Sequence, residues 1–146
     1  MTDSLLPVFL RLTGRSCLVV GGGAVAWAKT ARLREAGAWI TLIAPFFHPA
    51  PASLQGDTAI EPILRAFEPD DLNGRALVIA ATDDPAVQRE VSGRAAALGI
   101  PCNVVDVPER CDFTFGAVLR RGPLQIAIST NGQFPLLAQR LRDRLQ

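Results

Sequence analysis

Apolar residues in this chain fall into short unbroken runs, each closed by glycine, proline or charged residues. Residues 17–20 (CLVV), 39–44 (WITLIA) and 76–81 (ALVIAA) contain no charge, and runs of this kind predict strands buried in a parallel sheet. Between the first two runs, residues 25–36 are rich in alanine and stop at Gly37, which predicts a helix. Strand, helix and strand fit within about thirty residues, as a right-handed βαβ crossover requires. Residues 46–58 (FFHPAPASLQGDT) predict a loop with room for a short helix, residues 60–65 a third strand, and residues 69–72 a helical turn. After ALVIAA comes Thr82-Asp83-Asp84-Pro85, where an acid can cap a helix and Pro85 can occupy its first turn. Val87, Val91, Ala95 and Leu98 would give that helix its apolar face. IPCNVVD then predicts a strand with Asp106 at its carboxyl end. Beyond it the pattern changes: residues 113–119 and 124–129 predict an antiparallel hairpin turning at Arg120-Arg121-Gly122-Pro123, followed by a helix over 135–145. The expected architecture is a doubly wound α/β domain over residues 1–112 with an appendage over 113–146.

Composition narrows the partners. The 146 residues suffice for a proper core, 49% of them are hydrophobic, and 15 basic against 14 acidic residues leave a net charge of +1. Neither a nucleic-acid footprint nor a membrane-surface patch is expected from that balance. Lys29 is the sole lysine; every other basic residue is arginine, a planar fork suited to carboxylates and phosphates. Cys17, Cys102 and Cys111 form no CxxC pair, so a reduced, cytoplasmic protein is expected, with Cys17 and Cys102 as small core residues. The leading MTDSLLPVFLRL is expected to be neither a signal peptide nor a membrane span. Asp83-Asp84, without His or Glu at ligand spacing, predicts a helix cap, and no metal site is expected.

The glycines carry the first chemical signal. Gly21, Gly23 and Ala26 fit G-x-G-x-x-A in the required place, after a strand and opening a helix. Gly21 permits the turn, Gly23 lets a pyrophosphate approach the backbone, and Ala26 packs helix against strand. The helix N-terminus offers free N–H groups to the phosphates, which makes the domain Rossmann-like; a purely structural turn is the alternative that the glycines alone leave open. An acid to hold the ribose is missing: between Gly37 and Gly56 there is no Asp, Glu, Arg or Lys, so NAD and NADP are not distinguished. His48, the sole histidine, reads as an ordinary loop residue.

LVVGGGAVAWAK, ALVIAATDD, CNVVD, DFTFGAVLRRGPLQIAIS and PLLAQRLR occur in an order that resembles the precorrin-2 dehydrogenase and sirohydrochlorin ferrochelatase module of the siroheme synthase family, over nearly the whole chain. The resemblance implies NAD-dependent oxidation of precorrin-2 to sirohydrochlorin, with iron insertion in some members. It places the nucleotide on Gly21, Gly22, Gly23, Ala24 and Val25, beside Pro45 and Phe46, and near Thr82. Asp106 becomes the key acid, able to take a proton at the carboxyl end of its strand. Lys29 and Asn103 are assigned to the substrate, and Arg110, Arg120 and Arg121 are candidate clamps for its carboxylates. The strands after Asp106 would mediate a homodimer. Departures from the family pattern are Ala28 in place of arginine, Gly116 in place of proline, and Ser129-Thr130-Asn131-Gly132 in place of a Ser-Ser-Gly-Gly type run. The family continues for some tens of residues as a helical domain, so a truncated dimerisation region is expected here. The rival expectation is a non-catalytic regulatory or structural nucleotide-binding module, which would ordinarily retain the ribose acid and need no Asp106.

Overall fold

Five parallel strands, β1 (Ser16–Val20), β2 (Trp39–Ala44), β3 (Ile60–Leu64), β4 (Leu77–Ala80) and β5 (Cys102–Val104), pair in the order β3-β2-β1-β4-β5. They come from a computed structural model that describes residues 4–146. The chain divides into two units, Phe9–Asp112 and Phe113–Gln146, the latter joined by the leading segment that ends at Val8. In the first unit β1 lies at the centre with β2 and β4 beside it, and the uniform apolarity of β1 and β4 matches burial on both faces: Leu18, Val19, Val78, Ile79 and Ala80 are fully enclosed. Strand order reverses between β1 and β4, so a crevice opens at the carboxyl ends of the sheet, where doubly wound folds bind ligands.

Helix α1 (Ala24–Glu35) crosses from β1 to β2 and buries Ala26, Trp27, Thr30 and Leu33. Its buried hydroxyl is satisfied, Thr30 Oγ1 donating to the Ala26 carbonyl at 2.8 Å. Helix α2 (Pro85–Leu98) starts as the sequence predicts: Pro85 occupies the first turn and the Asp84 carboxylate accepts from Ala86 N–H at 2.9 Å. Val91 and Ala95 face the core, but Leu98 is 41% exposed, which corrects the expected apolar face. The cause is the helix ending: Gly99 turns left-handed at φ 69°, and Ile100, its N–H donating to the Ala95 carbonyl, fills the core position instead. Cys17 and Cys102 are enclosed as expected, and burial pushes their thiols up to about 11 and about 12.

Both sheet edges are blunted. On β3, Ile40 N–H of β2 donates to the Ala59 carbonyl, so alternate residues of β3 face the free edge, and Pro62, which has no N–H, is one of them. At the amino end Arg75 ties three elements, donating to Ser16 Oγ at 2.7 Å, Thr41 Oγ1 at 2.9 Å and the Asp71 carbonyl at 2.9 Å.

In the second unit β6 (Ala117–Arg121) and β7 (Leu124–Ile128) form the antiparallel hairpin, followed by α3 (Pro135–Leu145). The hairpin stands, with its boundaries moved. Arg120 and Arg121 are not in the turn; they pair with Gln125 and Leu124, and Gly122-Pro123 alone reverses the chain. Gly122 at φ 55° followed by proline suits a two-residue loop that needs positive φ first, so the arginines extend the strand. Residues 113–116 precede β6, with Phe113 and Phe115 packed edge to face at 5.6 Å. A β-carbon on Gly116 would approach the Ile128 carbonyl oxygen to 2.7 Å, which accounts for glycine at that position.

Candidate functional site

The glycine turn links the ends of three strands. Gly21 N–H donates to the Ile43 carbonyl at 2.9 Å, and Ala81 N–H donates to the Val20 carbonyl at 2.7 Å. Gly21 takes φ 139°, and any β-carbon there would strike the Ala81 carbonyl. Gly22 is equally closed: a β-carbon would strike the Phe46 carbonyl and meet Ala44 Cβ at 3.0 Å. Gly23 differs. Its backbone is ordinary (φ −86°, ψ −174°) and a β-carbon would meet nothing within 4 Å. It is the N-cap of α1, yet no side chain caps the helix. The first two glycines therefore answer to packing, and the third faces open space at a helix end with a partial positive charge. The motif treats Gly22 as a free position; only the three-glycine run hints that its neighbours forbid a side chain. Ala24 and Val25 follow on the exposed first turn of α1, and the buried Ala26 packs as a small third-place residue should.

One side of the turn is formed by residues 45–48, which the sequence leaves as a loop. His48 N–H donates to the Gly22 carbonyl at 2.8 Å, and the His48 carbonyl accepts from Trp27 Nε1 at 3.0 Å. The His48 backbone thus stitches this segment to both the turn and α1, a role no residue-level signal announces. The Phe46 ring is 69% exposed and meets the His48 ring edge-on at 5.8 Å. An apolar aromatic face therefore stands at the end of β2, beside Pro45, where a ribose acid is absent. Thr82 follows β4; its Oγ1 accepts from Asp84 N–H and its carbonyl from Gln88 Nε2 at 2.7 Å.

Asp106 lies two residues beyond β5, exposed, in the left-handed region at φ 64°. Lys29, on α1, is close enough for its charge to feel Asp106 and Cys111. Burial and then Arg32 hold the Lys29 ammonium below the ordinary lysine range, while Asp106 and Cys111 oppose that. Asn103 is buried within β5, and Arg110 ends the short 3₁₀ turn Pro108–Arg110. Lys29, Asp106, Asn103 and Arg110 thus belong to the first unit, with the glycine turn. Arg120 and Arg121 lie exposed on β6 of the second. Asp83 and Asp84 begin α2, and Asp84 is spent on its cap.

Comparison with known proteins bears on this arrangement. Residues 8–117 match an NAD(P)-binding family, and residues 121–146 match the family described as sirohaem biosynthesis protein central. The chain is 46% identical over 141 residues to a siroheme synthase of Methylobacillus flagellatus and 48% identical over 140 residues to one of Thioalkalivibrio sulfidiphilus. These alignments take in 97% and 96% of this chain but only 30% and 29% of those proteins, so it spans under a third of their length. Among solved structures, "SirC, precorrin-2 dehydrogenase" is similar with a TM-score of 0.80 and 29% identity, over 97% of this chain and 69% of that one.

Proposed function

The chain belongs to the NAD(P)-binding family matched by its residues 8–117, and from that premise we propose that it oxidises precorrin-2 to sirohydrochlorin with NAD as acceptor. The observation that carries this reading is the open cradle at Gly23 on the same carboxyl edge of the sheet as Asp106. Gly21 and Gly22 shape the turn, Gly23 leaves its backbone accessible, and the uncapped N–H groups of α1 suit a pyrophosphate; these residues fit the dinucleotide. Bound there, NAD supplies the hydride acceptor. Phe46 offers its ring to the nucleoside in place of an acid, and Thr82 borders the site from β4. Asp106 receives the proton released as the macrocycle loses two hydrogens, and Lys29 and Asn103 serve the substrate. Arg110 meets substrate carboxylates. The hairpin pairs two copies of the chain into a homodimer.

The direct test incubates the protein with precorrin-2 and NAD and follows NADH and sirohydrochlorin by absorbance. Equal yields of the two are expected. A folded protein that binds NAD and forms neither product would reduce the reading to nucleotide binding.

A further inference from the structure

The free edge of β5 is not free. Val78 N–H of β4 donates to the Pro101 carbonyl and Val105 N–H to the Ala80 carbonyl, so residues 101, 103 and 105 bond inward and Cys102 and Val104 bond outward. Asp112 takes both outward groups of Cys102: its carboxylate accepts from Cys102 N–H at 2.9 Å, and its own N–H donates to the Cys102 carbonyl at 2.7 Å. Cys111 reaches the next outward carbonyl, its Sγ–H donating to Val104 at 3.2 Å and also lying 3.4 Å from the Val107 carbonyl. Val107 N–H donates to the same Val104 carbonyl at 3.1 Å, closing the turn that holds Asp106. Residues 105–110 are thus a loop fastened at both ends to one strand, with Asp106 inside it at φ 64°.

Aspartate enters the left-handed region more readily than most side-chain-bearing residues, and what its surroundings add is to hold it there. The Val107 N–H bond to the Val104 carbonyl closes a tight turn with Asp106 third in it, and Asp112 and Cys111 fix the strand end from which that turn leaves. We propose that Asp112, seconded by Cys111, is the positioning residue for Asp106, acting through the β5 edge without contact with substrate or cofactor. This rests on the reading of Asp106 as the proton acceptor. It explains why a carboxylate is used where a backbone pairing would suffice to close an edge: a single side chain can grip a strand only three residues long, where a further strand could not run without displacing the loop.

The test uses Asp112→Ala, Asp112→Asn and Cys111→Ala in the whole chain, with Asp106→Asn as reference. Asparagine keeps an acceptor for Cys102 N–H, whereas alanine does not. Asp112→Ala is expected to lower kcat at least tenfold with KM for NAD within about twofold, Asp112→Asn to recover most of that loss, and Cys111→Ala to cost a few-fold. Hydrogen exchange of Val107 N–H, which Asp112 does not touch, should quicken at least tenfold in Asp112→Ala. Val107 exchange unchanged in a folded Asp112→Ala protein overturns the proposal, as does a kcat loss in which asparagine is no better than alanine. If Asp106→Asn keeps full turnover while Val107 exchange still responds to Asp112, the fastening stands and the role of Asp106 is what fails.

Discussion

A β-carbon on Gly23 would enter open space, whereas one on Gly22 would run into the Phe46 carbonyl. The two residues therefore predict opposite phenotypes. Gly23→Val, at ordinary φ and ψ, should leave thermal unfolding nearly unchanged while weakening NAD binding tenfold or more, because the branched side chain takes the pyrophosphate position. Gly22→Ala should do the reverse, costing about 1–3 kcal/mol by overpacking against backbone. A calorimetric NAD titration beside a melting curve separates them, and undiminished NAD affinity in Gly23→Val would end the cradle reading. Asp106→Asn should keep the fold and NAD affinity and cut oxidation by about 10²- to 10⁴-fold, roughly 3–5 kcal/mol of barrier. Turnover that falls less than about threefold would make Asp106 a structural residue. The sequence displays Gly21, Gly23 and Asp106 at strand ends because spacing from an apolar run is local information. It does not display the need for glycine at Gly22, the stitching by His48 or the left-handed turn at Asp106, since each depends on backbone brought from another element.

Strands β1 to β4 and both helices of the first unit are legible to within a residue, but IPCNVVD yields only Cys102–Val104 as strand, because the chain turns through Asp106. Errors occur where a tertiary contact decides a boundary: Leu98 loses the core to Ile100, and Gly122-Pro123 draws Arg120 and Arg121 into β6. One short element carries a pH signature. In the 3₁₀ turn Pro69–Leu72, Asp71 accepts from Arg65 at 2.7 and 2.8 Å and from Glu68 N–H at 2.8 Å. The hydrogen bond from Arg65, despite opposing burial, holds its carboxyl below the ordinary value. A folded-state pKa that is depressed contributes stability above the unfolded value of about 3.9 and loses it as pH falls through the lower, folded value. Asp71→Asn should therefore cost about 1–3 kcal/mol at neutral pH, and its stability should converge with wild type in strong acid. Urea midpoints measured from pH 7 to pH 2 check this; a constant gap across that range would contradict it.

At the scale of the whole chain, α3 exposes Leu136, Leu137, Leu141 and Leu145, with Phe134 just before it and Leu124 at the start of β7. A homodimer covering the hairpin would remove such surface from water, so sedimentation at micromolar concentration should give twice the chain mass; a strict monomer would contradict the pairing. Pairing of this kind is the least legible property of the sequence, since a hairpin strand reads the same whether it meets its own chain or another. No helix among the described residues is long and apolar enough to cross a membrane. The hydrogen bond from Trp27 Nε1 to His48 has an optical corollary. The chain has two tryptophans and no tyrosine, so its ultraviolet emission comes from two indoles, which sit at opposite ends of the sheet. Trp27 is 5% exposed beneath the glycine turn, and Trp39, 54% exposed, begins β2. Trp39→Phe should leave a single blue-shifted, quencher-resistant lamp beside the cofactor cradle. Its dimming on addition of NAD would time the arrival of the nucleotide without any added dye.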